Sequence, residues 1–493
     1  MESPSAPLTG WVAGALVFGS SAAVLVVEIV ALRLLAPYLG LTLETSTLVI
    51  GIALTAIAVG SWAGGRAADT VAPRRTLAPL LAVSGAVVAA TPFVVRAAGE
   101  AATTGPVLLV AALVIFVAGA ALSAVTPMVT KLQLTDLGET GAVVGRLSGV
   151  GTAGAIAGTV LTGFVLVSRV PVSGILVGLG ALLVVAAVAV EVLLHRRRPG
   201  VVPAVVVLVG GLAAVVAPGG CDEETVYHCA EIVADDERSG GRLLLLDGVG
   251  HSYVDVDDPT YLEFDYVQSI ASLVDTAYPA GEPLVGYHLG AGGLTLPRYL
   301  DVVRPGTTSL VSEIDPGVVG VDTERLGLRT GESLEVRVED GRLGLERLDD
   351  AAYDLVVGDA FGGVTVPWHL TTREAVTEVR RVLADDGLYV MNLIDHGDVA
   401  FARAEVATLA EQFDHVAVAS QSETLRFEDG GNLVVVAGDR AVDAAAWTGR
   451  MAERDLDYDV IEGAALERWV GGAEVLTDDH APVDQLLTPY PTG

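Results

Sequence analysis

A chain of 493 residues is too long for one ordinary domain, and a mean hydropathy of +0.55 beside a net charge of −32 fits no uniform chain. The two values agree only if the chain is divided: residues 1–217 carry 8 acidic and 11 basic side chains, and the remainder carries 53 and 18. That acidic excess argues against nucleic acid as a partner, because phosphates would be repelled.

The first part contains apolar runs near 11–36, 46–65, 77–98, 106–130, 146–168, 172–194 and 201–217. About 20 apolar residues span the hydrocarbon of a bilayer, so the pattern predicts six or seven crossings, with 201–217 the shortest. Arg66, Arg74 and Arg75, then Lys131 and Arg146, then Arg196, Arg197 and Arg198 fall on one side of this bundle; Arg33, Arg96 and Arg169 fall on the other. The richer side is expected to be cytoplasmic, which makes the chain a multi-pass protein of the cell membrane with the lipid bilayer as its partner. A crossing by 201–217 would carry the acidic part outside; a segment lying flat would keep it inside. Small residues in Gly149–Gly158 (GVGTAGAIAG) predict close helix packing. Glu28, deep in the first run, reads either as an ion or substrate contact or as a partner for an arginine of the bundle.

Cys221 and Cys229, the only cysteines, follow this part; they read as a disulfide on an oxidising face or as two free thiols. Two cysteines without further ligands predict no metal. Lys131 is the only lysine, and acid excess with arginine as almost the only base predicts adaptation to high salt.

Short strands are expected over 225–234, 242–247 and 252–256, with a turn at Asp247-Gly248 and a helix over 260–277. Strands then follow at 283–289, 307–313, 334–338, 353–358 and 387–394, alternating with helices at 294–303, 316–326, 372–384 and 398–412. Two more strands, 414–420 and 432–438, would close the sheet as a hairpin. The alternation predicts a Rossmann-like α/β domain over 283–440 with its site at the carboxyl ends of the strands. A small β region with the first helix occupies 222–282, and a helix and tail occupy 441–493. Four strand ends carry candidate groups. These are the glycine turn Gly290–Gly293, then Glu313 and Asp315, then Asp340-Gly341, and lastly Asp359. A glycine turn opening a helix brings backbone N–H groups to a ligand, and acids there accept hydrogen bonds from ribose or adenine. His369 precedes a capping-box pattern, Thr371–Glu374, and Asp395-His396 reads as an acid–base pair or as a strand-end turn, with the turn favoured.

With Leu244–Gly248 (LLLDG), Tyr261, Glu313–Asp315 (EID), Asp340-Gly341 and Asp359–Phe361 (DAF), the second part resembles the spermidine synthases, polyamine aminopropyltransferases on a fold of the S-adenosylmethionine-dependent methyltransferase type. Glu28–Gly40 (EIVALRLLAPYLG) and Leu476–Val483 (LTDDHAPV) resemble the membrane-fused members of that family. The resemblance implies a transferase of polyamine biosynthesis whose co-substrate is decarboxylated S-adenosylmethionine, or S-adenosylmethionine. It implies that Gly290 and Gly292 cradle that nucleoside, that Glu313 and Asp315 take its ribose and Asp340 and Gly341 its adenine. Asp359 would serve as the catalytic acceptor of the amine's proton, and Tyr261 would line the site of a small amine. A homo-oligomer is left open. The match departs from the family at Gly292, where an acid is usual; at Leu262, where Gln or His usually follows the tyrosine; at Gly362, where a second acid is common; and at His251, where Gln is common. Methyl transfer to another substrate, or a non-catalytic transporter or polyamine-binding protein, are the other readings.

Overall fold

In the computed structural model the chain divides between Tyr227 and His228 into two compact units, so residues 222–227 belong with the helical part. The structure describes residues 8–39, 43–101, 104–134, 136–167, 169–195, 221–290, 292–363 and 365–488. The apolar run 201–217 and Arg196–Arg198 lie outside the described residues.

The first unit holds six stretches long and apolar enough to cross a membrane: Gly10–Leu35, Ser46–Thr70, Pro73–Ala98, Leu108–Gln133, Thr140–Leu166 and Val172–Leu194. They are built on α1 (Gly10–Leu39), α2 (Leu43–Thr70), α3 (Pro73–Ala101), α4 (Thr104–Ser123), α5 (Val125–Gln133), α6 (Thr140–Leu161) and α7 (Val172–His195). The run expected as one helix over 106–130 is broken at Ala124. Pro127 is the reason: it has no N–H to donate to the preceding turn. α1 packs on α6, α2 on α4, and α3 on α7 around a core of Val, Leu and Ala.

The small-residue stripe is packed directly against backbone at two of its positions. A Cβ on Gly158 would lie 2.6 Å from the Ala22 carbonyl oxygen, and one on Gly154 would collide with the backbone of Phe18, whereas Gly149 faces open space. Gly154→Val is therefore expected to destabilise the bundle by at least ~1–3 kcal/mol through overpacking. Gly149→Val should be close to neutral. Thermal unfolding in detergent, with the two variants side by side, checks this.

Both ends of the bundle carry anchoring contacts. At one end Lys131 pairs with Asp69 (2.9 Å), and Arg146 donates to Gln133 (3.1 Å). At the other, Glu224 pairs with Arg96 (2.9 Å) and accepts from the Ser173 backbone N–H (2.9 Å). Arg33 there donates to the Val226 carbonyl and lies 4.8 Å over the Tyr227 ring. The carboxylate facing Arg96 is thus Glu224 and not Glu28.

The second unit opens with a small antiparallel sheet: β1 (Cys229–Ala234), β2 (Gly241–Leu246) and β3 (Val249–Asp255). α8 (Asp265–Ala277) follows. The main sheet holds β4 (Val285–Leu289), β5 (Thr308–Glu313), β6 (Leu334–Val338), β7 (Tyr353–Gly358), β8 (Leu383–Asp395), β9 (His415–Gln421), β10 (Gly431–Gly438) and β11 (Tyr458–Glu462). Their order is β11-β9-β10-β8-β7-β4-β5-β6. β4 pairs in parallel with both β5 and β7, and β7 with β8; β10 is inserted antiparallel between β8 and β9. The strand order reverses on either side of β4, and the crevice outside the carboxyl ends at such a point is where open sheets bind ligands. α9 (Thr295–Val303), α10 (Pro316–Arg325), α11 (Gly341–Leu345), α12 (Arg373–Val382) and α13 (Ala400–Gln412) connect the strands. Two apolar layers, one on each face of the sheet, bury Val356, Phe401 and Leu433 on one side and Leu355, Val434 and Trp447 on the other. This is the expected α/β domain following the expected helical bundle; α11, β11, a short helix at Ser422–Leu425 and a second C-terminal helix at Gly463–Val470 are among the additions to the elements read from the sequence.

Candidate active site

A cleft of about 630 Å³ opens at the carboxyl edge of β4, β5 and β7. Gly290, Gly292, Glu313, Asp340, Gly341 and Asp359 all line it. The turn after β4 requires glycine at 290: its φ is +92°, and a Cβ there would run into the Asp359 carbonyl oxygen. The two strand ends are stitched by Gly290 N–H to the Ser312 carbonyl (2.9 Å) and Asp359 N–H to the Leu289 carbonyl (3.0 Å). Glu313 ends β5 with Oε1 accepting the Asp315 N–H (2.7 Å). Asp340 ends the loop after β6. Its Oδ1 caps α11 through the N–H groups of Arg342 (3.0 Å) and Leu343 (3.1 Å), and its Oδ2 lies 3.3 Å from His369 Nε2.

Asp359 sits at the end of β7 with both oxygens engaged. Tyr266 O–H donates to Oδ2 (3.0 Å) and Asn392 Nδ2 donates to Oδ1 (2.9 Å). Burial pushes the Asp359 carboxyl above the ordinary carboxylate range, while those two donors act in the opposite sense. Burial also raises the Tyr266 hydroxyl well above its usual value, with Asp359 reinforcing it, so that residue remains a donor. Two imidazoles on the cleft wall stay neutral: burial lowers His251 to about 4, helped by nearby His228, and lowers His288 to about 3.

Two expected site residues stand elsewhere. Tyr261 is not on the cleft wall; its ring lies 3.5 Å under the Arg238 guanidinium and its hydroxyl donates to Glu263. Tyr266, five residues on in the first turn of α8, lines the cleft instead, as does Tyr458 from β11. Asp315 is fully buried and caps α10, accepting the Gly317 N–H (2.8 Å). Among the described residues it does not line the cleft. Asp395 is likewise structural, accepting from the N–H groups of His396 (2.8 Å) and Ala402 (3.0 Å). Both cysteines are disulfide-bonded rather than free thiols. No group of three or more metal-ligating side chains occurs among the described residues.

No family model matches the chain. A polyamine aminopropyltransferase of Vibrio vulnificus is 30% identical over 121 residues, covering 23% of this chain and 40% of its own length. A probable polyamine aminopropyl transferase of Bifidobacterium longum is 28% identical over 246 residues, covering 46% and 53%. The chain thus spans about half, or less, of the length of these curated relatives. Among solved structures, a probable spermidine synthase from Corynebacterium glutamicum is 29% identical with a TM-score of 0.49, covering 52% of this chain and 95% of that one.

Proposed function

We propose that the C-terminal half of this chain, which is spermidine synthase-like, transfers an aminopropyl group from decarboxylated S-adenosylmethionine to a di- or polyamine. One observation carries the reading. Asp359, with both oxygens held by donors, shares a single cleft with the glycine turn, Glu313 and Asp340. In this reading Glu313 takes the ribose hydroxyls, Asp340 Oδ2 takes the adenine amine, and the turn at Gly290 and Gly292 lies under the nucleoside.

The chemistry then follows. The amine nitrogen attacks the aminopropyl carbon next to the sulfonium; a C–N bond forms and the C–S bond breaks. The sulfur leaves as a neutral thioether with the bonding pair. The nitrogen must shed a proton, and Asp359 is the base within the cleft that accepts it. A negative cleft wall also favours two cationic substrates. S-adenosylmethionine presents the same sulfonium, so it serves as the control donor.

Calorimetry on the full chain in detergent and molar salt tests the reading. Decarboxylated S-adenosylmethionine should bind, and a diamine should then be consumed. Glu313→Gln and Asp340→Asn should each weaken nucleoside binding by roughly tenfold or more, the worth of a buried hydrogen bond to a charged acceptor. Binding of neither nucleoside would overturn the reading.

Six apolar stretches support a multi-pass protein of the cell membrane. Molar salt is specified because 53 acids against 18 bases after residue 217 repel one another when unscreened.

A further inference from the structure

The hydrogen-bond chain that holds Asp359 does not stop at Asn392. Asn432 Nδ2 donates to Asn392 Oδ1 at 2.8 Å. Asn392 lies on β8 opposite Val434 of β10, so Asn432 is its diagonal neighbour on the same face of the sheet. The direction of this chain is fixed by chemistry. An ionised carboxylate only accepts, so Asn392 must turn its NH2 group to Asp359 and its oxygen away. Asn432 must then offer its own NH2 group to that oxygen. Its remaining polar atom, Oδ1, is left as an acceptor, and Asn432 lines the cleft. A second observation points to a ligand at this end. Thr424 is fully buried, also lines the cleft, and its Oγ1 has no hydrogen-bond partner among the described residues.

We infer that Asn432 is a specificity-determining residue whose Oδ1 accepts an N–H of the incoming amine beside Asp359. The inference rests on the function proposed above and adds the acceptor-side contact to it. A primary ammonium that gives one proton to Asp359 becomes the neutral amine, with two N–H bonds and a lone pair. Fixing one of them on Asn432 leaves the lone pair a single direction, which is the orientation a displacement at carbon needs. The contact is neutral for a reason internal to the chain. A carboxylate at 432 has no N–H for Asn392; Asn392 would turn its NH2 group toward 432 and withdraw it from Asp359.

The test compares Asn432→Leu, Asn432→Asp and Asn432→Gln in the full chain, reading amine KM, kcat and the Kd of decarboxylated S-adenosylmethionine. Asn432→Leu should raise the amine KM by roughly tenfold, as the loss of one hydrogen bond does, with the nucleoside Kd unchanged. Asn432→Gln should recover part of that loss. Asn432→Asp, although it adds a negative charge beside a cation, should lower kcat and move the acid limb of the pH–rate profile, because Asp359 loses a donor. An Asn432→Leu protein that binds nucleoside and keeps the wild-type amine KM overturns the inference and leaves the proposed function standing. A wild-type protein that binds the nucleoside but neither binds nor consumes any amine overturns the acceptor half of both.

Discussion

Asp359→Asn is expected to abolish aminopropyl transfer while leaving nucleoside binding within a few-fold of wild type. The substitution changes no volume, and the amide can still meet Tyr266 and Asn392, so the cleft keeps its shape. What disappears is the base. General-base catalysis contributes on the order of 10²–10⁴-fold, and the loss in kcat should fall in that range. The nucleoside contacts are assigned to Glu313 and Asp340 at other strand ends, so the Kd for decarboxylated S-adenosylmethionine has no reason to move. The wild-type pH profile gives an independent check. Asp359 must be ionised to accept a proton, and burial raises its pKa. Activity should therefore fall on the acid side at a higher pH than an exposed aspartate would give, and be retained above it. A fully active Asp359→Asn protein would remove this residue from the chemistry.

The reach of the sequence can be judged from these same residues. Glu313, Asp340 and Asp359 were legible because each stands at or just after the carboxyl end of a strand in the alternating strand–helix pattern, and strand ends in such sheets share one edge. Asp315 was misread by that rule. Its own signal was local: Asp followed by Pro316 is the start of a helix, with the carboxylate as cap and proline in the first turn. Tyr261 and Tyr266 flank the same acids, and only the entry angle of α8 decides which hydroxyl reaches Asp359. Asn392 and Asn432 were not legible at all. They are 40 residues apart in strands that otherwise read as apolar, and their contact depends on β10 entering antiparallel beside β8. In the bundle, crossings were legible from length, whereas the break at Ala124 turns on the single Pro127 inside an otherwise unbroken apolar run.

The second large expected effect concerns the side of the membrane. Glu224 meets Ser173 in the first turn of α7, and His195 ends that helix. A 24-residue helix is about 36 Å long at ~1.5 Å per residue, so His195 and Glu224 lie at opposite ends of the bundle. The end with Glu224, Arg96 and Arg33 is the arginine-poor one; the end with Lys131 and Asp69 belongs to the richer side. The charge rule therefore predicts that the chain leaves the bundle for its C-terminal domain on the non-cytoplasmic face. The disulfide-bonded state of Cys221 and Cys229 agrees, since such bonds persist in oxidising compartments. In intact cells a membrane-impermeant reductant followed by an impermeant maleimide should label both native cysteines. Asp69→Cys, at the other end, should be labelled only after permeabilisation. The reverse pattern would put the domain in the cytoplasm. The expected pattern has a chemical consequence for the proposed reaction. A sulfonium is permanently charged and does not diffuse through hydrocarbon, so its donor must be supplied from outside or carried across. The helical bundle would then be the first place to look for a carrier, with Gly154 and Gly158 setting how closely α1 and α6 approach.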